Sequence, residues 1–522
     1  MNLPTAEGII AMCKARLLVL ALSALPALGQ SLPADWHVDK TLYPKAYGLL
    51  DNEQLMFPVD MSDWPVRIDG AHQLFVDDYL MASAENITRQ VHPARKHPAN
   101  PVLRGEHPWE GIGPVFPIVR RDEKTGRFRM WYAGWTRYTL ASGVSARFPT
   151  LYAESEDGIR WSKPQLGLHA YEGSKANNII IPAGNLYGLI IDANDPDPNR
   201  RYKGIVWHEP QYVAREGYYL YTSPDGLHWS RAREEPLAIS LLGYAMPQTG
   251  IGDTSVFRWD ERLRRYVGDV KFVLPGKFRC RGMMESDDLI HWTRPRMTLY
   301  PDALDAPDSQ VYGHLSFAYE SMWLGFLRMM HTQRVGWKQT TVELTASRDG
   351  RHWTRVGRRE EFIPLGGPDD WDADYHEPTW DPILVGDDLW IYYRSARALE
   401  RDPKRPNGIG LAMVRRDGFV SLNAGQTPGV VLTRPLAVSG NALFISAEIL
   451  PDGWIKAAFV EPGPGGKPIE NYSLDDAVPV TKGGVQLPVT WKNASTFKLP
   501  ANAQARLKFQ MANAKLYAFW IQ

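Results

Sequence analysis

Ser155-Glu156-Asp157-Gly158-Ile159-Arg160-Trp161 returns three times along the chain. The later copies are Ser223-Pro224-Asp225-Gly226-Leu227-His228-Trp229, Ser286-Asp287-Asp288-Leu289-Ile290-His291-Trp292 and Ser347-Arg348-Asp349-Gly350-Arg351-His352-Trp353. The pattern is S-x-D-G-x-x-W, with Leu289 once in place of Gly, and its Trp residues stand 68, 63 and 61 positions apart. A degenerate fifth copy, Arg416-Asp417-Gly418-Phe419-Val420, puts Ser421 where the Trp would be. A fixed period of this size marks an array of like units. An Asp caps its own turn and a Gly supplies positive φ, so the repeated element is a tight turn with a structural role.

Around each turn the hydrophobic pattern is that of short strands. In the first unit these are 115–120, 128–135 and 152–154, with a turn at 122–126. Helical periodicity is nearly absent. Four antiparallel strands repeated five times predict an all-β chain, a five-bladed β-propeller. Past residue 430 no D-G-x-x-W turn recurs, and short strands separated by Gly-rich loops predict a C-terminal β-sandwich. The expected organisation is therefore a signal peptide at 1–30, a Pro-rich wrapping segment at 31–108, the propeller at 109–425 and the sandwich at 426–522. Within the wrapping segment, residues 74–80 read as a strand.

The leader rests on Lys14 and Arg16, the apolar run 17–28 and the small-residue pattern Ala27-Leu28-Gly29. That run is too short to span a bilayer, and no later run approaches 18 apolar residues. A secreted or periplasmic protein is the expectation. Of the two cysteines Cys13 falls in the leader, leaving Cys280 in a strand as a buried thiol. The 522 residues carry 59 Lys+Arg and 59 Asp+Glu, a balance that argues against a nucleic-acid partner. No nucleotide-binding or metal-ligand motif occurs, so no cofactor and no metal are expected. The 19 Trp are unusual; four of them are explained by the turns.

In a propeller the starts of the innermost strands and the ends of the second strands converge at one end of the axis. Asp253 and Glu377 each precede or open an apolar strand in a low-charge stretch, and Glu110 lies in a similar context. These three are the candidate catalytic carboxylates. Paired carboxylates at such a point suit glycoside hydrolysis, where one donates a proton and the other acts as base or nucleophile. Trp109, Tyr312, His314, Arg328, His331, His376 and Arg394 are candidate substrate-binding groups, aromatics for sugar faces and cations for hydroxyls.

With these turns spread over residues 109–421 and a trailing β-domain, the chain resembles the five-bladed propeller glycoside hydrolases: invertases, levanases, arabinanases and β-xylosidases. His376-Glu377-Pro378 resembles the Glu-Gly-Pro or Glu-Ala-Pro around the general acid of the arabinanase-like enzymes. The invertase signature W-M-N-D-P-N-G is absent, and Arg401-Asp402-Pro403 lies in a late loop instead of an early blade. The resemblance implies a divergent glycosidase acting on a poly- or oligosaccharide, furanosides among them. A non-catalytic carbohydrate-binding propeller, and a lyase or phosphorylase on the same scaffold, are the competing readings.

Overall fold

A computed structural model describes residues 65–522 except 141, 210–212, 214, 240–250, 275–277, 334–338, 397–406, 464 and 501–502. The leader and half of the wrapping segment lie outside the described residues. Among those described, every regular element is a strand except two short 3-10 turns, and no helix is long and apolar enough to cross a membrane.

Five antiparallel blades follow one another, the first four running from an inner to an outer strand in chain order, with single parallel pairings joining blade 2 to blade 3 and blade 4 to blade 5. Blade 1 consists of Pro114–Arg121, Phe128–Gly134, Thr150–Ser155 and Ile179–Ile181. Blade 2 is Asn185–Ile191, Tyr202–His208, Gly217–Ser223 and Ser230–Arg231; blade 3 is Val256–Asp260, Arg265–Leu274, Phe278–Ser286 and Arg296–Leu299. Blade 4 is Ser309–Tyr319, Met322–His331, Gln339–Ser347 and Thr354–Arg355. Blade 5 takes three strands in order, Tyr375–Pro378, Asp388–Ala396 and Gly408–Arg415. Its outer strand comes from the other end of the chain: Arg95–Lys96 and Leu103–Arg104 pair with Gly408–Arg415. That exchange ties the N-terminal segment into the last blade and leaves it no open edge of the kind that invites aggregation. The fold is a five-bladed β-propeller.

The repeated turns are built alike. In each, the Ser hydroxyl accepts the Asp N–H two residues on, and at three of the four turns the next N–H as well, while the Asp carboxylate accepts two N–H groups beyond it. At the first turn Ser155 Oγ takes Gly158 N–H at 2.8 Å, and Asp157 Oδ1 takes Ile159 and Arg160 N–H at 2.9 and 2.8 Å. Trp161, Trp229 and Trp292 each donate Nε1–H to the carbonyl at the Gly position, at 2.9–3.1 Å. The same carbonyls bind the preceding blade. Gly226 O accepts Trp131 Nε1–H at 2.8 Å, and Gly158 O accepts the Tyr392 hydroxyl at 2.7 Å, which joins blade 1 to blade 5. Gly158 has φ +72° and a Cβ there would lie 2.6 Å from Tyr392 Oη. Gly158→Ala is expected to cost about 2–4 kcal/mol, left-handed strain plus overpacking. Gly143, at φ +82° in open space, should cost only the first part; thermal unfolding of the two variants measures the difference.

Burial pushes the turn carboxyls up, but the N–H donors, with the His352 ring at Asp349, outweigh it and hold Asp157, Asp225 and Asp349 at about 2. A carboxyl depressed in the folded state stabilises above its unfolded value of roughly 3.9, and that contribution disappears as pH falls through the folded value. Asp225→Asn should therefore be less stable at neutral pH and show a shallower loss of stability between about pH 4 and 2, read by chemical unfolding across that range.

The C-terminal β-domain is a ten-stranded sheet built on two long bent strands, Leu443–Val460 and Gln504–Ile521. The sequence pattern reads each of these as two strands; the structure bends them at bulges between Ser446 and Ala447 and between Ile449 and Trp454 instead of breaking them. Four strands of residues 66–91 complete the sheet, for example Thr88–Val91 on Val420–Ala424 and Met81–Glu85 on Gly429–Thr433. One core unites Phe75 and Met81 with Ile445, Phe459, Phe509 and Phe519. The strand expected over 74–80 is reduced to Gln73–Leu74. Asp77 and Asp78 end it, because their buried carboxylates pair with Arg348 of blade 4 and with Arg89. Arg348–Asp77 and a His72–Asp417 contact of 2.8 Å fasten this domain to the propeller.

Candidate active site

The antiparallel pairing places one set of chain ends together. Asn185 lies opposite Trp207, Val256 opposite Asp269, Ser309 opposite His331 and Tyr375 opposite Ala396. The innermost strands therefore begin, and the second strands finish, at the same end of the axis, where they present one connected group of side chains.

Tyr312, near the start of the inner strand of blade 4, is its centre. The cationic ends of Lys271, Arg279 and Arg328 lie 5.4, 5.8 and 5.5 Å from its ring centroid. These come from blades 3 and 4 and lie within cation–π range of one ring. Lys271 pairs with Asp253, whose side chain is 27% exposed. Arg328 pairs with Glu377, which is fully buried in blade 5. Arg394 holds the second Glu377 oxygen at 2.9 Å and binds Asn407 Oδ1 at 3.1 Å. The Arg394 guanidinium also lies over the rings of Tyr375 at 4.6 Å and Trp135 at 5.0 Å. Tyr187 senses both halves. Burial raises its phenol well above the ordinary range, Asp253 adds to that and Arg328 opposes it. Burial likewise pushes the Lys271 ammonium down, against the pull of Asp253.

Asp253, Glu377, Tyr312, Arg328 and Arg394 are thus brought together as the propeller geometry requires. Glu110 stands apart. It is buried against blade 1, where Oε1 accepts the Tyr132 hydroxyl at 2.9 Å and Oε2 accepts the Glu106 and His107 N–H groups at 2.8 and 2.9 Å. Lys163 adds an ion pair at 2.9 Å. All its acceptor positions are taken by local turn groups and neighbouring strands, so its role is to cap the Pro108–Glu110 turn. Glu110→Ala is expected to lower the melting temperature, because the Tyr132 hydroxyl and two turn N–H groups lose their acceptor while Lys163 keeps Glu106 and the Arg104 carbonyl, about 1–3 kcal/mol for buried donors left unsatisfied, measured by calorimetry. Trp109 follows it outward, donating to Asn178 Oδ1 at 2.7 Å and stacking on His107.

The three histidines also serve the scaffold. His314 sits between blades 3 and 4, 3.3 Å from Asp269 and 2.9 Å from Thr345 Oγ1, with its ring against Trp353. His376, beside Glu377 in sequence, alternates to the opposite face of its strand. There its ring nitrogens lie 3.0 and 3.1 Å from the Ile363 and Asp372 carbonyls. His331 ends the second strand of blade 4 and is tied within its own blade to Ser309 and Thr341.

Sequence reasoning passed over Arg279 and Arg281. The alternation Arg279-Cys280-Arg281 was the available signal: Cys280 is buried in the apolar core between blades, and the two arginines share the other face. Burial pushes the Cys280 thiol up to about 12, consistent with an inert structural group.

Among the described residues one group of potential metal ligands occurs, His72, Glu320 and Asp417, at the junction with the C-terminal domain. Arg416 already places a guanidinium 3.2 Å from Glu320 and 3.4 Å from His72, which supplies the cation such a cluster would need.

No family model and no curated protein matches the chain. Similar solved structures include an N-acetylgalactosamine deacetylase from F. plautii, in complex with blood group B trisaccharide. It is 12% identical with TM-score 0.41, over 63% of this chain and 96% of that one. A β-1,2-mannobiose phosphorylase from Listeria innocua is 11% identical with TM-score 0.42, over 62% and 97%. A Bombyx mori GH32 β-fructofuranosidase is 11% identical with TM-score 0.37, over 78% and 91%. At such identities the likeness is one of fold.

Proposed function

We propose that this protein is an exported glycoside hydrolase that cleaves a poly- or oligosaccharide at the axial end of the propeller. The observation that carries the reading is that Asp253, on the loop before blade 3, and Glu377, in blade 5, pair with two cations, Lys271 and Arg328, that both lie against one ring, Tyr312. Asp253 is the solvent-reached member, suited to proton transfer with the leaving oxygen or with water. Glu377, with guanidinium groups at both oxygens, offers a fixed negative charge that an oxocarbenium-like transition state favours. Trp135, half-buried, and the edge of Tyr312 supply aromatic surface against which a pyranose or furanose ring packs.

Incubation of the purified protein with neutral and acidic polysaccharides, followed by product analysis, tests the activity. A new reducing end with no added phosphate supports hydrolysis. A sugar phosphate formed only with phosphate present, or an unsaturated product, replaces that reading by a phosphorylase or a lyase. Export is tested by cell fractionation and N-terminal sequencing, with cleavage expected near residue 30.

A further inference from the structure

We infer that the axial site recognises an anionic sugar, one bearing a carboxylate or a sulfate ester next to the bond that is cut; this rests on the glycosidase reading of the same site. The chain as a whole is charge-balanced, with 59 cationic and 59 acidic residues. The axial end is not. Around Tyr312 and Glu377 the described side chains bring five cations, Lys271, Arg279, Arg281, Arg328 and Arg394, against three carboxylates, Asp253, Asp269 and Glu377. Asp269 accepts from Ser316 at 2.7 Å and faces His314; Arg258, the cation beside it, pairs with Asp260 at 2.8 Å.

The excess is not a surface accident. Arg281 is fully buried, and its hydrogen bonds go to the carbonyls of Tyr312, Thr254 and Asp269 at 3.0–3.4 Å. Its Nε has no hydrogen-bond partner among the described residues. Burial, and then repulsion from Arg328, push its guanidinium down to about 10. Buried like charges destabilise a fold unless something compensates them, and a protein keeps them where a ligand brings the missing charge. Arg279 is half-buried, 2.7 Å from Gln310 Oε1 and 5.8 Å from the Tyr312 ring centroid. A planar guanidinium there matches the two oxygens of a carboxylate or sulfate. The sugar ring would then lie against Tyr312 with its acidic substituent towards Arg279 and Lys271.

The test is binding, separate from turnover. Thermal unfolding of the full-length protein is followed with glucuronate, galacturonate, glucose 6-sulfate, inorganic sulfate and inorganic phosphate, each beside glucose or galactose, at matched ionic strength. Stabilisation by a sugar acid or sugar sulfate, and none by the neutral sugars, is the expected result. Glucuronate and galacturonate on one arm and the sulfate ester on the other tell the two sources of charge apart. Arg279→Gln should abolish the stabilisation and Arg279→Lys should retain part of it. Equal responses to neutral and acidic sugars, no response to any anion, response to phosphate alone, or an unchanged response in Arg279→Gln would each overturn the inference. If acidic sugars bind but no glycan is cleaved, the glycosidase reading fails and the charge recognition stands.

Discussion

Asp253→Asn is expected to lower kcat by about 10²–10⁴-fold, the usual worth of a positioned proton-transfer group, while the protein folds and melts near the temperature of the parent. The side chain is 27% exposed and lies on the loop before an inner strand, so the amide fits the same space. Its ion-pair partner Lys271 has its ammonium pushed down by burial, against the pull of Asp253. The amide of the variant keeps an oxygen in place to accept from Lys271. Steady-state kinetics on the best substrate, with calorimetry on the same preparation, measures both. A variant with near-parental turnover would remove Asp253 from the mechanism, and with it the paired-carboxylate reading.

Glu377→Ala is expected to be costly in a different way. The carboxylate is fully buried between Arg328 and Arg394, and removing it leaves two guanidinium groups inside the ring without their counter-ion. Breaking a buried charge pair costs about 3–5 kcal/mol, so this variant should lose both activity and much of its resistance to urea. Activity alone therefore cannot assign Glu377 a chemical role. The triple variant Glu377→Leu, Arg328→Met, Arg394→Met separates the two effects. Replacing a whole buried ionic group by apolar side chains is often neutral or stabilising, so stability should recover while turnover stays absent. Recovery of both would show that the trio is scaffold. The acidic turns and Gly158 bear on the ring as a whole, whereas these two residues bear on its axis.

The strand order within blades was legible because its signals are local. Ser155, Asp157 and Gly158 form their turn with groups no more than three residues away, and the same chemistry recurs with Ser223, Ser286 and Ser347. Counting those turns counts blades. Ring closure was not legible. Arg95–Lys96 is two residues long and meets Met413 and Ala412 some three hundred positions later. Nothing in its composition distinguishes it from a loop. The same holds for residues 66–91, whose strands pair with partners more than 300 positions away in the C-terminal sheet.

The candidate site divides along the same line. Glu110 and Glu377 look alike in sequence, each a Glu beside a large aromatic or His and near a Pro or Gly before an apolar run. Their fates differ because Glu110 is enclosed by Tyr132, Lys163 and its own turn, while Glu377 meets arginines from blades 4 and 5. His376 and Glu377 are neighbours that point to opposite faces, an alternation whose sense depends on which face of the strand the axis occupies.

By itself the sequence determined the all-β class, the repeat, the turn chemistry and the end of each blade that chemistry would occupy in a ring. Only the tertiary structure decided which charges meet. Convergence of Asp253, Lys271, Arg279, Arg328, Glu377 and Arg394 on Tyr312 depends on blades 3, 4 and 5 closing around one axis. Turn formation is a property of a few adjacent residues, but an electrostatic site is a sum over groups far apart in the chain, and that sum exists only once the ring is closed.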